Sequence, residues 1–310
     1  MVILNTLAPV FLLIFLGTLL VRGGLLSGEV LKGLNKLTYW VALPSVIFHK
    51  LAMTTYEAGP AGRIFVVVMA GTFGGALLAW FLGRLLRISP HAMGTFLQAT
   101  FRGNLAFIGL PVILYAFADS INGTSMTTAA VLAFAPTMVV YNIAAVLVLL
   151  RSANRKAEGM ARKTVRQLIT NPLILAAVAG ILWAALGIPM PLALDRSFGA
   201  LSSMALPLAL ICIGGTLVVV QIRGSLRNAT IAALLKVTAV PLLGWITAVA
   251  MQLPPGETLV ALILLACPTA AASFVLTQQL YGDEALASSA IVLSTLFSLP
   301  ALAIVVWVFA

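Results

Sequence analysis

The chain has 310 residues, of which 62% are hydrophobic and only 8% are charged. A water-soluble domain carries about 25% charged residues because its surface must face water. The composition therefore excludes a soluble protein and indicates an integral membrane protein surrounded mainly by lipid. The formal net charge of +10 does not indicate nucleic-acid binding, because the basic residues form short clusters between apolar runs.

Ten apolar segments are long enough to cross a bilayer, since a transmembrane helix needs about 20 apolar residues. In chain order the predicted spans are 3–21, 33–53, 62–86, 92–118, 126–150, 169–187, 197–219, 228–251, 257–281 and 285–309. No Lys or Arg precedes Arg22, so we interpret the first span as a retained helix and not as a signal peptide. The predicted fold class is an all-α polytopic membrane protein.

The basic residues predict the orientation of the chain. The connection 151–168 contains six of them, and placing it in the cytoplasm puts 13 of the 18 Lys and Arg residues on that side and 3 on the other. We therefore expect a multi-pass protein of the cell inner (plasma) membrane with both termini extracytoplasmic.

An internal repeat divides the chain into a first five-helix repeat (1–150), a cytoplasmic basic linker (151–168) and a second five-helix repeat (169–310). Because each half has an odd number of spans, the two halves must run through the membrane in opposite directions. Inverted repeats of this kind are typical of secondary transporters, which bind substrate at the repeat interface near the midplane. The marks that coincide at an offset of about 163 residues are Pro9 with Pro172, Ala42-Leu43-Pro44 with Ala205-Leu206-Pro207 and, with one residue of slip, Asp119 with Asp283.

Spans four and nine are predicted to be discontinuous helices that cross near the membrane centre. Span four carries Gly103, Gly109 and Pro111, and span nine carries Pro268 followed by small and polar residues. Both residue types disfavour a continuous helix, and broken backbone at this depth is tolerated only where it is buried in protein or lines a cavity. A simple kink would explain one proline, but two breaks at equivalent positions favour a binding site. Half-helices beginning near Pro111 and Thr269 would direct N-terminal dipoles toward an anion.

The charge within the predicted spans is positive. Arg102, at the break in span four, would bind a carboxylate through its guanidinium, or would snorkel or satisfy loose carbonyls. Lys236 lies about 13 Å deep in span eight; it is a candidate for coupling, although its stem could return the amine to the interface. All eight Asp and Glu residues map to loops or span ends. We therefore expect an anion as cargo, and any sodium site would need neutral oxygens.

The candidate substrate-binding residues lie at the two breaks or in span five. They are Arg102, Gly103, Asn104, Gly109, Pro111, Asn142, Pro268, Thr269, Ser273, Thr277 and Gln278. No HExxH, GxSxG or Walker motif and no Cys/His cluster with metal spacing is present. The sequence therefore predicts no enzyme, no cofactor and no metal site, while coupling to protons or sodium stays open.

Several motifs resemble the auxin efflux carrier family, in its shorter bacterial branch, along the whole chain. They are Asn35-Lys36-Leu37…Val41-Ala42-Leu43-Pro44, Phe101-Arg102-Gly103-Asn104…Phe107-Ile108-Gly109-Leu110-Pro111, Asn171-Pro172 and Ser294-Thr295…Ser298-Leu299-Pro300. The resemblance implies a fold similar to that of bile-acid:sodium symporters, with a panel (scaffold) domain, a core (crossover) domain and elevator-like alternating access. It also implies organic anions such as malonate, malate or auxin-like acids as cargo, bound near Asn104, Pro111 and Pro268.

The sequence as a whole predicts a secondary transporter of small organic carboxylates, with the lipid bilayer around it and no nucleic-acid partner. Pairing with a second copy of the chain, to form a homodimer, stays open. Two alternatives also stay open: a membrane sensor that binds the ligand without moving it, and an anion channel on the same scaffold.

Overall fold

A computed structural model describes residues 2–53, 58–118, 123–153, 160–220 and 222–309. Within these ranges every regular element is a helix. The β-pairing found there is an isolated antiparallel bridge between Gly103 and Thr269. The prediction of an all-α chain is therefore confirmed for the described residues.

Fifteen α-helices are numbered in chain order. They are α1 (Val2–Arg22), α2 (Gly28–Leu37), α3 (Leu43–Ala52), α4 (Ala58–Leu85), α5 (Pro90–Phe101), α6 (Leu110–Ala116), α7 (Gly123–Ser152), α8 (Met160–Ile169), α9 (Pro172–Ala185), α10 (Leu192–Val219), α11 (Leu226–Leu234), α12 (Val240–Ala250), α13 (Pro255–Ala266), α14 (Ala272–Gln279) and α15 (Glu284–Phe309), as counted over the described part of the chain.

Three π-helical turns lead directly into α3, α6 and α12. They are Thr38–Ala42, Leu105–Gly109 and Leu235–Ala239. Each ends two residues before a proline, whose ring would clash with the carbonyl four residues earlier in a regular α-helix. The wider π-turn relieves this clash, as where the Val240 N–H bonds to the Leu235 carbonyl, five residues back.

Several of these helices match the length and composition of membrane spans. Over the described ranges, five segments are long and apolar enough to cross a bilayer: α4, α7, α10, Leu226–Ala250 and α15. Shorter apolar helices include α9 and α13. A multi-pass membrane protein is thereby supported, while the count of ten spans and the inverted repeat stay predictions.

The connections between the predicted spans contain further helix and some residues that the structure does not describe. The basic linker predicted at 151–168 is partly helical, because α8 begins at Met160. Asp119, one of the marks of the repeat, lies outside the described residues, as do Glu57 and Glu158.

The chain forms two compact units. The first comprises Met1–Ala61, Ala106–Ala135 and Val165–Val219, and in it α1 packs against α10 while α3 packs against α9 and α10. In the second unit α15 packs against α5, α11 and α13. The second unit comprises Gly62–Leu105, Pro136–Thr164 and Val220–Ala310.

Two glycines bring α1 and α10 into close contact in the first unit. A Cβ atom on Gly214 would lie 1.8 Å from the carbonyl oxygen of Ile14, and one on Gly17 would lie 2.1 Å from that of Ile211. The Thr18 hydroxyl donates a hydrogen bond to the Gly214 carbonyl at 3.0 Å. In lipid, where apolar surfaces gain little by meeting, close packing of small residues and interhelical hydrogen bonds hold helices together.

We expect Gly214→Ala to lower the thermal unfolding temperature of the purified protein, because the added methyl group must push α1 away from α10. Overpacking of this kind costs about 1–3 kcal/mol. Gly199→Ala, on the same helix, is the matched control, since nothing lies within 4 Å of a Cβ atom there. Equal unfolding temperatures for the two variants would contradict the close contact.

Candidate functional site

Both helices predicted to be discontinuous are interrupted in the structure. α5 ends at Phe101, and helical structure resumes with a π-turn at Leu105. α13 ends at Ala266, and α14 begins at Ala272. The half-helix expected near Thr269 therefore begins three residues later, because Thr269 belongs to the β-bridge and not to a helix.

The two interrupted segments of the second unit pair through their backbones. The N–H of Asn104 donates to the carbonyl of Pro268 at 2.7 Å, and the N–H of Ala270 donates to the carbonyl of Arg102 at 2.9 Å. Buried backbone groups must find partners, and lipid offers none. Each break therefore supplies hydrogen bonds that the other one needs.

Thr269 connects the break after α13 to two other helices. Its hydroxyl donates to the carbonyl of Ala99 at 2.6 Å, in the last turn of α5. Its backbone N–H donates to the hydroxyl of Ser294 on α15 at 3.0 Å. Helix ends leave backbone groups without intrahelical partners, and these bonds satisfy two such groups. Ser294 lies in a motif noted in the sequence, but only the fold shows what it contacts.

Arg102 places a buried positive charge at the break. The residue is 8% exposed, and its Nη2 donates to the Oδ1 atom of Asn142 on α7 at 2.7 Å. The Nδ2 atom of Asn142 donates to the carbonyl of Met138 at 2.9 Å, which turns the amide oxygen toward the guanidinium. The neutral amide of Asn142 thus helps to orient the guanidinium of Arg102.

Gln98 is a buried polar residue that the sequence analysis missed. Its Nε2 donates to the carbonyl of Ser273 and to the hydroxyl of Thr277, each at 3.0 Å. Within the described residues, Gln98 Oε1 and Ser273 Oγ are buried without a hydrogen-bond partner. Buried polar atoms of this kind mark a place for water or a polar ligand. The available signal was the spacing, because Gln98 precedes Arg102 by one helical turn.

Lys236 lies beside both breaks, in the π-turn Leu235–Ala239. The residue is 0% exposed, and its Nζ donates to the carbonyl of Leu265 near the end of α13. A Cβ atom on Gly103 would lie 3.5 Å from the Cε of Lys236. The alternative in which the amine returns to the membrane interface is therefore wrong.

Three predicted residues are placed differently from this group. Gln278 has an exposed side chain that donates to the Oε2 atom of Glu284 at 3.3 Å. Gly109 and Pro111 belong to the first unit, where they mark the transition from the π-turn to α6. The other nine candidate residues all belong to the second unit. They are Arg102, Gly103, Asn104, Asn142, Lys236, Pro268, Thr269, Ser273 and Thr277.

The described carboxylates all lie in or next to the first turn of a helix, where the helix dipole favours negative charge. Asp195 pairs with His49 at 2.7 Å, and Glu257 forms a bidentate pair with Arg63. Over the described ranges, no group of three or more His, Cys, Asp and Glu residues could hold a metal ion. The carboxylates concerned are Glu29, Asp195, Glu257, Asp283 and Glu284.

We expect Thr269→Val to destabilise the protein by about 1–3 kcal/mol, because a buried carbonyl loses its donor. The measurement is thermal unfolding of the purified protein in detergent. Thr216→Val is the matched control, since the Thr216 hydroxyl bonds only to the Cys212 carbonyl of its own helix among the contacts described. Similar unfolding temperatures for the two variants would show that Thr269 does not hold the breaks together.

Comparison with known proteins identifies the family. The family model described as "Membrane transport protein" matches residues 2–306. A relative from Rhizobium meliloti (strain 1021), named "Putative malonate transporter", is 26% identical over 292 residues, which cover 94% of this chain and 90% of the relative. A relative from Methanothermobacter thermautotrophicus, named "Uncharacterized transporter", is 26% identical over 304 residues, covering 96% and 95% of the two chains.

A third relative, an uncharacterized transporter of Methanocaldococcus jannaschii, is 22% identical over 314 residues, and the match covers 99% of both chains. These matches extend over nearly all of the sequence, as does the family model. The chain therefore belongs to the membrane transport protein family, which is the auxin efflux carrier family that its motifs resemble.

Proposed function

We propose that this protein is a secondary transporter that moves small organic anions, of the dicarboxylate class that includes malonate, across the plasma membrane. The observation that carries the proposal is the pair of interrupted helices that bond to each other beside the buried guanidinium of Arg102. Membership of a membrane transport family supports a transporter. The cargo class is proposed from Arg102 and from the printed name of the Rhizobium relative, "Putative malonate transporter".

Arg102 is suited to bind a carboxylate. A guanidinium presents several N–H donors in a planar fork that matches the two oxygens of a carboxylate. Asn142 accepts from Nη2 and so fixes the orientation of the fork. Burial strengthens the attraction, because charges interact more strongly where water is excluded. Asn104, which is half-buried at the same break, is a second proposed contact.

The buried acceptors near Ser273 extend the proposed site. Gln98 Oε1 and Ser273 Oγ have unused hydrogen-bonding capacity within the described residues. A hydroxyl group or a water molecule accompanying the substrate would satisfy them. The proposed site therefore combines one cation with neutral polar groups, an arrangement that fits an anion carrying additional polar atoms.

The transport mechanism proposed is alternating access of the elevator type, in a protein of ten spans built as two inverted repeats. α5 and α13 support the repeat, because both have 12 residues and both end at a break. Their last residues, Phe101 and Ala266, are separated by nearly the offset seen in the sequence. Both breaks belong to the second unit, so we propose that this unit carries the substrate.

Reconstitution into liposomes tests the proposal. We expect saturable counterflow of labelled malonate, inhibited by malate but not by malonamide, the neutral analogue that a buried cation should not favour. Flux that does not saturate, without counterflow, would indicate an anion channel. Binding of malonate without flux would indicate a sensor. Folded protein that neither binds nor transports any dicarboxylate would contradict the proposed cargo.

We expect Arg102→Gln to raise the KM for malonate at least about tenfold, because a charge-assisted hydrogen bond contributes about 1.5–3 kcal/mol. Arg102→Lys should have a KM between those of the wild type and Arg102→Gln, since it keeps the charge but loses the planar fork of N–H donors. Arg84→Gln is the matched control, because Arg84 is exposed and lies over the ring of Trp80. An unchanged KM in a folded Arg102→Gln protein would remove Arg102 from the site.

A further inference from the structure

The C-terminal end of α13 concentrates negative charge inside the second unit. The last carbonyls of an interrupted helix lack intrahelical partners, and the helix dipole places about half a negative charge at this end. The Ile263 carbonyl accepts from the thiol of Cys267 at 3.0 Å. The Leu265 carbonyl accepts from the ammonium group of Lys236.

Lys236 reaches this helix end from another segment and is held there by packing. Its π-turn lies directly before α12. Leu265 fits against glycines of two helices, since a Cβ atom on Gly244 would lie 2.1 Å from Leu265 Cδ1 and one on Gly71 would lie 2.8 Å from it. With the side chain of Leu265 fixed in this way, its carbonyl is a rigid acceptor for the amine.

Different chemical groups donate hydrogen bonds to the carbonyls at the C-terminal ends of the two interrupted helices. At the end of α5 the Ala99 carbonyl accepts from the neutral hydroxyl of Thr269. At the end of α13 the Leu265 carbonyl accepts from the amine of Lys236, a group that is ordinarily charged at neutral pH. A neutral donor would satisfy the carbonyl equally well, whereas burying a charge carries a penalty of several kcal/mol. The difference indicates that the charge itself has a use.

We propose that Lys236 is a tethered cation, which supplies at the end of α13 the positive charge that a bound coupling ion supplies in other carriers. In several secondary transporters unwound carbonyls and half-helix C-termini coordinate Na⁺. Here the amine of Lys236 donates a hydrogen bond to the carbonyl of Leu265, where such an ion would bind. This inference rests on the proposed function, and Lys236 acts in it as a positioning residue for the second unit.

Two consequences follow for the protein. Transport by the wild type does not require sodium, because the helix end already has its cation. Removing the amine leaves a cavity lined by carbonyl oxygen that a small monovalent cation can enter. Lys236→Met is the informative variant, since methionine keeps an unbranched apolar stem and lacks the charge.

The test compares malonate counterflow in media that contain choline, sodium or ammonium. We expect the wild type to be equally active in all three. Lys236→Met should lose about tenfold or more in choline, the effect of one charge-assisted hydrogen bond, and should recover in sodium or ammonium. Lys32→Met, which removes an exposed lysine of α2, is the matched control and should behave as the wild type.

A second measurement does not depend on transport. Because a bound ion stabilises the folded state, sodium or ammonium should raise the unfolding temperature of Lys236→Met relative to choline, and should leave the wild type unchanged. This result would support the inference even if malonate were the wrong cargo.

Three results would overturn the inference: sodium-dependent transport by the wild type, unchanged counterflow by Lys236→Met in choline, or absence of any cation effect on that variant in both measurements. If Lys236→Met does not fold, the wild type decides, because sodium stimulation contradicts a tethered cation and sodium independence supports it.

Discussion

Backbone groups buried away from water must be hydrogen-bonded, and this requirement governs the centre of the second unit. Two helices stop in apolar surroundings, at Phe101 and at Ala266. Lipid cannot supply hydrogen bonds to the backbone groups of either interrupted segment. The structure resolves this by bonding the segments to each other at Asn104–Pro268 and Arg102–Ala270. A pair of breaks is therefore stable where a single break would be costly.

This solution also explains the distribution of polar side chains. Thr269 and Ser294 complete the backbone bonding with neutral hydroxyls. Arg102 and Lys236 bring positive charge to the same region, whereas the described carboxylates lie at the beginnings of helices. In a medium of low dielectric such an imbalance favours an anion as the additional component. The proposed transport of organic anions follows from this electrostatic character together with the family.

The positions of the breaks were predictable because glycine and proline act locally. Arg102 and Asn104 were found as polar residues within an apolar span, where each one is conspicuous. The pairing of the breaks, the contact of Thr269 with α5 and the role of Gln98 could not be predicted, because they depend on segments about 170 residues apart in the chain. The burial of Lys236 was missed for another reason: its long stem permits two positions of the amine, and only the packing around Leu265 selects one. Likewise, Gln278 has the right residue type but an exposed position.

The central claim, that the paired breaks bind an anion, is tested most directly by hydrogen–deuterium exchange of the protein in lipid nanodiscs with and without malonate. We predict slower exchange in both 98–105 and 266–273 when malonate is bound, and no such change in Arg102→Gln. Protection confined to other segments, or equal protection in Arg102→Gln, would contradict the account.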